Sequence, residues 1–135
     1  MIVVADTNIM VRTIVTTDNP QQSKAAFALL KKADRVIVPL VALCETVWVL
    51  RSVYKRNRNA IALSIRAIVR TPKIITEHDA VTAGLRMLDD GGDFADGVIQ
   101  HTGARLAGAP CTYASFDRTA VNRLTARGIA ALLPE

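Results

Sequence analysis

Five of the twelve acidic residues stand where a folded chain would have a use for them. Asp6 ends the apolar start of "VVADTNIMVR". Glu45 sits inside the apolar stretch "PLVALCETVWVL". Asp93 and Asp96 open "GGDFADGVIQ", and Asp117 lies near the end of "TYASFDR". Aspartate and asparagine are poor in strand interiors and good at helix starts. Asp6 and Asp117 therefore read as residues between a strand and a helix. A lone carboxylate on an apolar helix face is costly to bury. Glu45 shares its face with Val41, Trp48 and Val49, so it is expected to meet a cation, a donor network or the edge of a cleft, on a helix otherwise largely buried. Asp93 and Asp96, three apart, project from one side of a helix start. Ile99, Gln100 and Gly103 follow on the Asp96 face, which turns Asp96 inward or into a cleft.

Each acid also has a bland use. Asp6 and Asp117 serve as simple N-caps, Asp93 with Asp96 as an acidic capping-box variant, and Glu45 as an arginine partner. As a set they suggest more. Gathered carboxylates raise one another's pKa unless a cation neutralises them. Oxygen-only ligands suit Mg²⁺ or Mn²⁺, and such ions serve phosphodiester cleavage. Asp18, Asp34, Glu77, Asp79, Asp89, Asp90 and Glu135 read as solvated surface.

The elements that must position the acids alternate. Strands are expected at Ile2–Ala5, Arg35–Val38, Lys73–Thr76, Thr112–Ala114 and Ile129–Leu133. Helices are expected at Thr7–Thr13, from Asn19-Pro20 to about Lys32, from Pro39 to about Tyr54, and at Ala60–Arg70, Glu77–Asp89, Phe94–Leu106 and Thr119–Arg127. Asn19-Pro20 is an N-cap followed by a first-turn proline. Short apolar strands alternating with helices imply βαβ units and one parallel sheet covered on both faces. Ligand sites in such sheets lie beyond the carboxyl ends of the strands, which places Asp6 and Asp117 at the same edge. Phe27, Leu30, Trp48 and Leu50 read most simply as core.

The chain has 135 residues, half of them hydrophobic, and no repeat or linker, which implies a single domain over 1–135. No apolar run reaches membrane-span length. The amino terminus lacks the features of a secretory signal, so the expected location is the cytoplasm. Cys44 and Cys111 form no Cys-x-x-Cys pair, and His78 and His101 have no zinc-ligand spacing. The net charge of +5 and pI near 9.7 favour polyanionic partners. Arg51, Lys55, Arg56 and Arg58 in "RSVYKRNR" form the densest basic run, read equally as a solvated helix end or an RNA contact. Arg118 adjoins Asp117 and is a further phosphate-contact candidate. Aromatic residues are only 4%, which disfavours extensive base stacking.

Taken in order, "ADTNIMVR", "PLVALCETVWVL", "GGDFADGVIQ" and "ASFDR" resemble the PIN-domain ribonucleases, and within them the VapC toxins of bacterial toxin–antitoxin pairs. The resemblance covers essentially the whole chain. It implies a three-layer α/β/α fold with a short, mostly parallel central sheet. It also implies a metal-dependent endoribonuclease whose acidic site falls on Asp6, Glu45, Asp96 and Asp117, with Asp93 as a fifth member or as the acid that replaces Asp96. Asn8 and Ser115 match small polar positions that support the acids, and a local turn or cap serves them equally well. The resemblance further implies Mg²⁺ or Mn²⁺, an RNA substrate, a homodimer and a VapB-type antitoxin. Gly97 and the Gln100-His101 pair depart from the family pattern and bear on substrate fit.

Two enzyme classes are disfavoured. A haloacid-dehalogenase-type phosphatase needs a second aspartate where Asn8 stands. A Rossmann enzyme needs a glycine-rich turn after the first strand, and "ADTNIM" has none. The alternative from another class is a non-catalytic RNA-binding or regulatory module.

Overall fold

A computed structural model describes residues 1–135, which divide into two compact units, Met1–His78 and Asp79–Glu135.

The first unit contains β1 (Ile2–Val4), α1 (Thr7–Ile14), α2 (Pro20–Lys32), β2 (Arg35–Ile37), α3 (Leu40–Ser52), α4 (Arg58–Arg70) and β3 (Ile74–Ile75). Its strands form a parallel sheet in the order β1-β2-β3, with Val3 opposite Val36 and Val36 opposite Ile74. Side chains alternate between faces along a strand. Val36 and Ile74 are accordingly buried together, and Ile75, the next residue along β3, is exposed. β1 departs from the expected buried strand. It is an edge strand, and Ile2 and Val4 are 61% and 69% exposed.

The helices start where capping chemistry puts them. Asn19 accepts from the Gln22 N–H at 3.1 Å with Pro20 in the first turn, and Asn57 accepts from the Ala60 N–H at 2.8 Å. Such caps contribute about 1 kcal/mol each. Helix α3 is less enclosed than its apolar sequence suggests. Ala42, Leu43, Val47 and Leu50 are buried, whereas Val41, Glu45, Trp48 and Arg51 form an exposed stripe at helical spacing. Trp48 is 64% and Phe27 50% exposed, so neither is core, and Leu30 is only half-buried. Leu50 alone of those four is fully enclosed.

The second unit contains α5 (His78–Asp89), α6 (Phe94–Ala107), β4 (Tyr113–Ala114), α7 (Arg118–Ala126) and β5 (Ala131–Leu132). Strands β4 and β5 pair in parallel, joined through α7. Phe94, Met87, Leu88, Val81 and Leu124 are its most enclosed side chains. Close approach of α5 and α6 rests on glycine. A Cβ on Gly97 would lie 2.4 Å from the Ala83 carbonyl oxygen, and one on Gly84 would lie 2.7 Å from the Phe94 ring.

All five strands and seven helices of the sequence reading are present. The single sheet is not. The strands are two or three residues long and pair in two separate parallel sheets, of three and two strands. So few ladder bonds leave pairing to the local βαβ connections. Asp6 and Asp117 each follow the carboxyl end of a strand, but the two strands belong to different sheets.

Candidate active site

In the first unit, Asp6 caps α1 by accepting the Ile9 N–H at 3.0 Å. The next residue, Thr7, donates through Oγ1 to Glu45 Oε2 at 2.7 Å. Strand β1 thus delivers an acid and a hydroxyl together, and α3 supplies the second carboxylate. Asp6 and Glu45 are both exposed, so their oxygens are open to ligands. Glu45 is exposed rather than buried, and the donor it meets is a threonine. Asn8 is exposed in the first turn of α1.

The second unit brings three acids into electrostatic contact. Asp93 caps α6 and accepts from the Ala95 N–H at 3.4 Å. Asp96 lies in the first turn of α6 and is half-buried. Tyr113, on β4, donates to Asp96 Oδ1 at 3.2 Å. Asp117 caps α7, accepting from the N–H groups of Thr119 and Ala120 at 3.0 and 3.2 Å. Ser115 Oγ accepts from the Asp117 N–H at 3.0 Å and so shapes the turn that presents Asp117.

Charge is disfavoured at Asp96. Burial pushes its carboxyl pKa up, and the neighbouring charges of Asp93 and Asp117 push it further, against the Tyr113 hydrogen bond, which pulls it down. Tyr113 is raised in turn, first by burial and then by the charge of Asp96. This is the electrostatic condition that a bound cation relieves. The donors are carboxylate oxygens, the ligand type of Mg²⁺ and Mn²⁺. The set is open, however. No three of the chain's histidine, cysteine, aspartate and glutamate side chains are drawn together as a ready-made metal cage.

The basic candidates lie at two places. Arg118 is exposed at the start of α7, directly after Asp117. Arg51, Arg56 and Arg58, with Asn57 and Asn59, line a cleft of about 340 Å³ between α3 and α4. Lys55, in the same loop, is the one non-glycine residue with positive φ, at 54°.

Thr7 and Tyr113 are the residues that sequence reasoning missed. Thr7 had one signal, its place beside Asp6 at a helix start. Tyr113 had none, since 17 residues separate it from Asp96.

Over residues 3–119 the chain matches the family model described as PIN domain. No curated protein matches it. Seven helices and short parallel sheets are the element content of the expected three-layer α/β/α class.

Proposed function

Because the chain belongs to the PIN domain family, whose members are generally metal-dependent ribonucleases, we propose that it is an endoribonuclease of the VapC toxin type, restrained by a VapB-type antitoxin. The observation that carries this reading is the half-buried Asp96 carboxylate in the first turn of α6, bonded by Tyr113 at 3.2 Å, with Asp93 and Asp117 at the caps of α6 and α7. The family match runs through both units, which supports reading the chain as a single PIN domain whose acid set is Asp6, Glu45, Asp96 and Asp117.

On this reading Asp6, Asp96 and Asp117 are the acids that would hold Mg²⁺ or Mn²⁺, with Glu45 and Asp93 assisting. When bound, such an ion supplies a water of lowered pKa and positive charge beside the phosphate. The chain's own residues do the positioning. Thr7 fixes Glu45, Tyr113 fixes Asp96, and the Ser115 turn fixes Asp117. Arg118 and the Arg51–Arg58 cleft are the proposed phosphate contacts, with Lys55 beside them.

The antitoxin reading has its own support in the first unit. A mainly apolar groove of about 580 Å³ is lined by residues that include Met10, Ile14, Phe27, Leu30 and Ile68, with Lys31 and Arg56 among its cations. That chemistry suits an amphipathic segment with acidic flanks. A homodimer and a cytoplasmic location complete the reading.

Incubating RNA with the protein in Mg²⁺ or Mn²⁺, with and without EDTA, tests it. Cleavage leaving 5′-phosphate ends, abolished by EDTA, is the expected result. The open spacing of the acids favours a second reading, an RNA-binding module without turnover. Binding without cleavage in every divalent metal would establish that one instead.

A further inference from the structure

The second unit holds a cleft of about 500 Å³ that the nuclease reading leaves unused. Arg86 of α5, Gln100 and His101 of α6, and Arg127 just past α7 all line it. Arg127 is anchored. Its Nη2 donates to the Arg86 backbone carbonyl at 2.8 Å and pairs with Asp90. Its side chain is only 18% exposed. Burial, and after it the charge of Arg86, hold the Arg127 pKa below its usual value. A purely structural staple for the end of α5 accounts for the Asp90 pairing. It does not account for a second arginine, exposed Arg86, on the lining of the same cleft. An anion between the two lowers the energy of both. Asp79 is the one acid of the lining, and it stands seven residues from Arg86, about 10 Å along α5.

Helix α6 connects this cleft to the acids. Gln100 is one turn beyond Asp96, about 6 Å along the axis. It lines both this cleft and a smaller one shared with Tyr113. We propose that the Arg86–Arg127 cleft is a phosphate subsite for the RNA strand flanking the cleaved bond. The two arginines take the phosphate, and His101 and Gln100 contact the nucleotide that carries it. The proposal rests on RNA being the substrate. It also gives Gln100-His101 a role in substrate fit.

The test uses a 5′-fluorescein-labelled single-stranded RNA of mixed sequence, followed by anisotropy in EDTA so that no cleavage intervenes. Arg86→Gln weakens binding about tenfold and lowers the salt slope by about one. Arg70→Gln, at an exposed site on α4, changes neither. In proton NMR the His101 ring resonance moves saturably on RNA addition and the His78 resonance does not. Affinity and salt slope unchanged in Arg86→Gln overturn the proposal, as does equal movement of both histidines. A His101 response to inorganic phosphate but not to RNA assigns the cleft to a free anion and also overturns it. In the cleavage assay Arg86→Gln raises KM with kcat unchanged. An active enzyme with unaltered KM in Arg86→Gln sinks the subsite alone. Weakened RNA binding in Arg86→Gln, in a protein that shows no cleavage in any divalent metal, sinks the nuclease reading alone.

Discussion

The Tyr113 hydroxyl donates to Asp96 Oδ1 across 3.2 Å, tying β4 to the first turn of α6. This bond stabilises the ionised carboxylate against burial and against Asp93 and Asp117. Tyr113→Phe removes it, so the Asp96 pKa rises further. If the ionised form is the active one, the acid limb of the pH profile of kcat/KM for RNA cleavage moves to higher pH. An unmoved limb would detach Asp96 from the reaction.

Asp96 also predicts a stability effect of unusual sign. Its folded-state pKa lies above the unfolded value of about 3.9. The ionised carboxylate therefore costs stability, fully above the folded pKa, and the cost is relieved as pH falls through it. Asp96→Asn should raise the melting temperature of the metal-free protein at pH 7 and steepen its fall on acidification, because the relief that Asp96 gives the wild type as pH drops is gone. It should also reduce the stabilisation that MgCl₂ gives the wild type. Thermal melts with and without the salt check all three.

Asp18 behaves in the opposite way. Its pKa is lowered, first by the Tyr54 hydroxyl, which donates at 2.6 Å, and then by Arg12 at 3.0 Å. The stability it contributes is present above the unfolded pKa of about 3.9 and is lost as pH falls through the lower folded value. Tyr54→Phe removes the larger cause. The variant should lose part of this contribution at neutral pH and show a shallower fall in melting temperature on acidification.

Gly97→Ala reverses the usual helix rule. Alanine normally stabilises a helix interior over glycine by about 0.5–1 kcal/mol. Here the new methyl meets the Ala83 carbonyl oxygen at 2.4 Å. Backbone on that side has to shift, and overpacking of this kind costs about 1–3 kcal/mol. Urea denaturation should show a net loss of stability. A net gain would mean that α5 and α6 are farther apart than described.

Local chemistry made much of the fold legible. Asp6, Asn19, Asp93 and Asp117 announce helix starts because capping needs only a side chain and the next few N–H groups. Long-range partners left no such trace. Nothing in the sequence says that β4 pairs with β5, that Thr7 meets Glu45, or that Arg127 reaches the end of α5. Apolar content misled at Trp48, Phe27 and β1, since an apolar residue need not be enclosed. The cap positions of Asp6, Asp93 and Asp117 were legible, and the bond from Tyr113 to Asp96 was not.

The central proposal is that divalent-metal binding needs both Asp6 and Asp96. Isothermal titration of Mn²⁺ into the wild type, Asp6→Asn and Asp96→Asn tests it most directly. The account predicts weakened Mn²⁺ binding in each variant and no further loss in the double variant beyond nonspecific binding. Asp6→Asn binding Mn²⁺ as tightly as the wild type would contradict it.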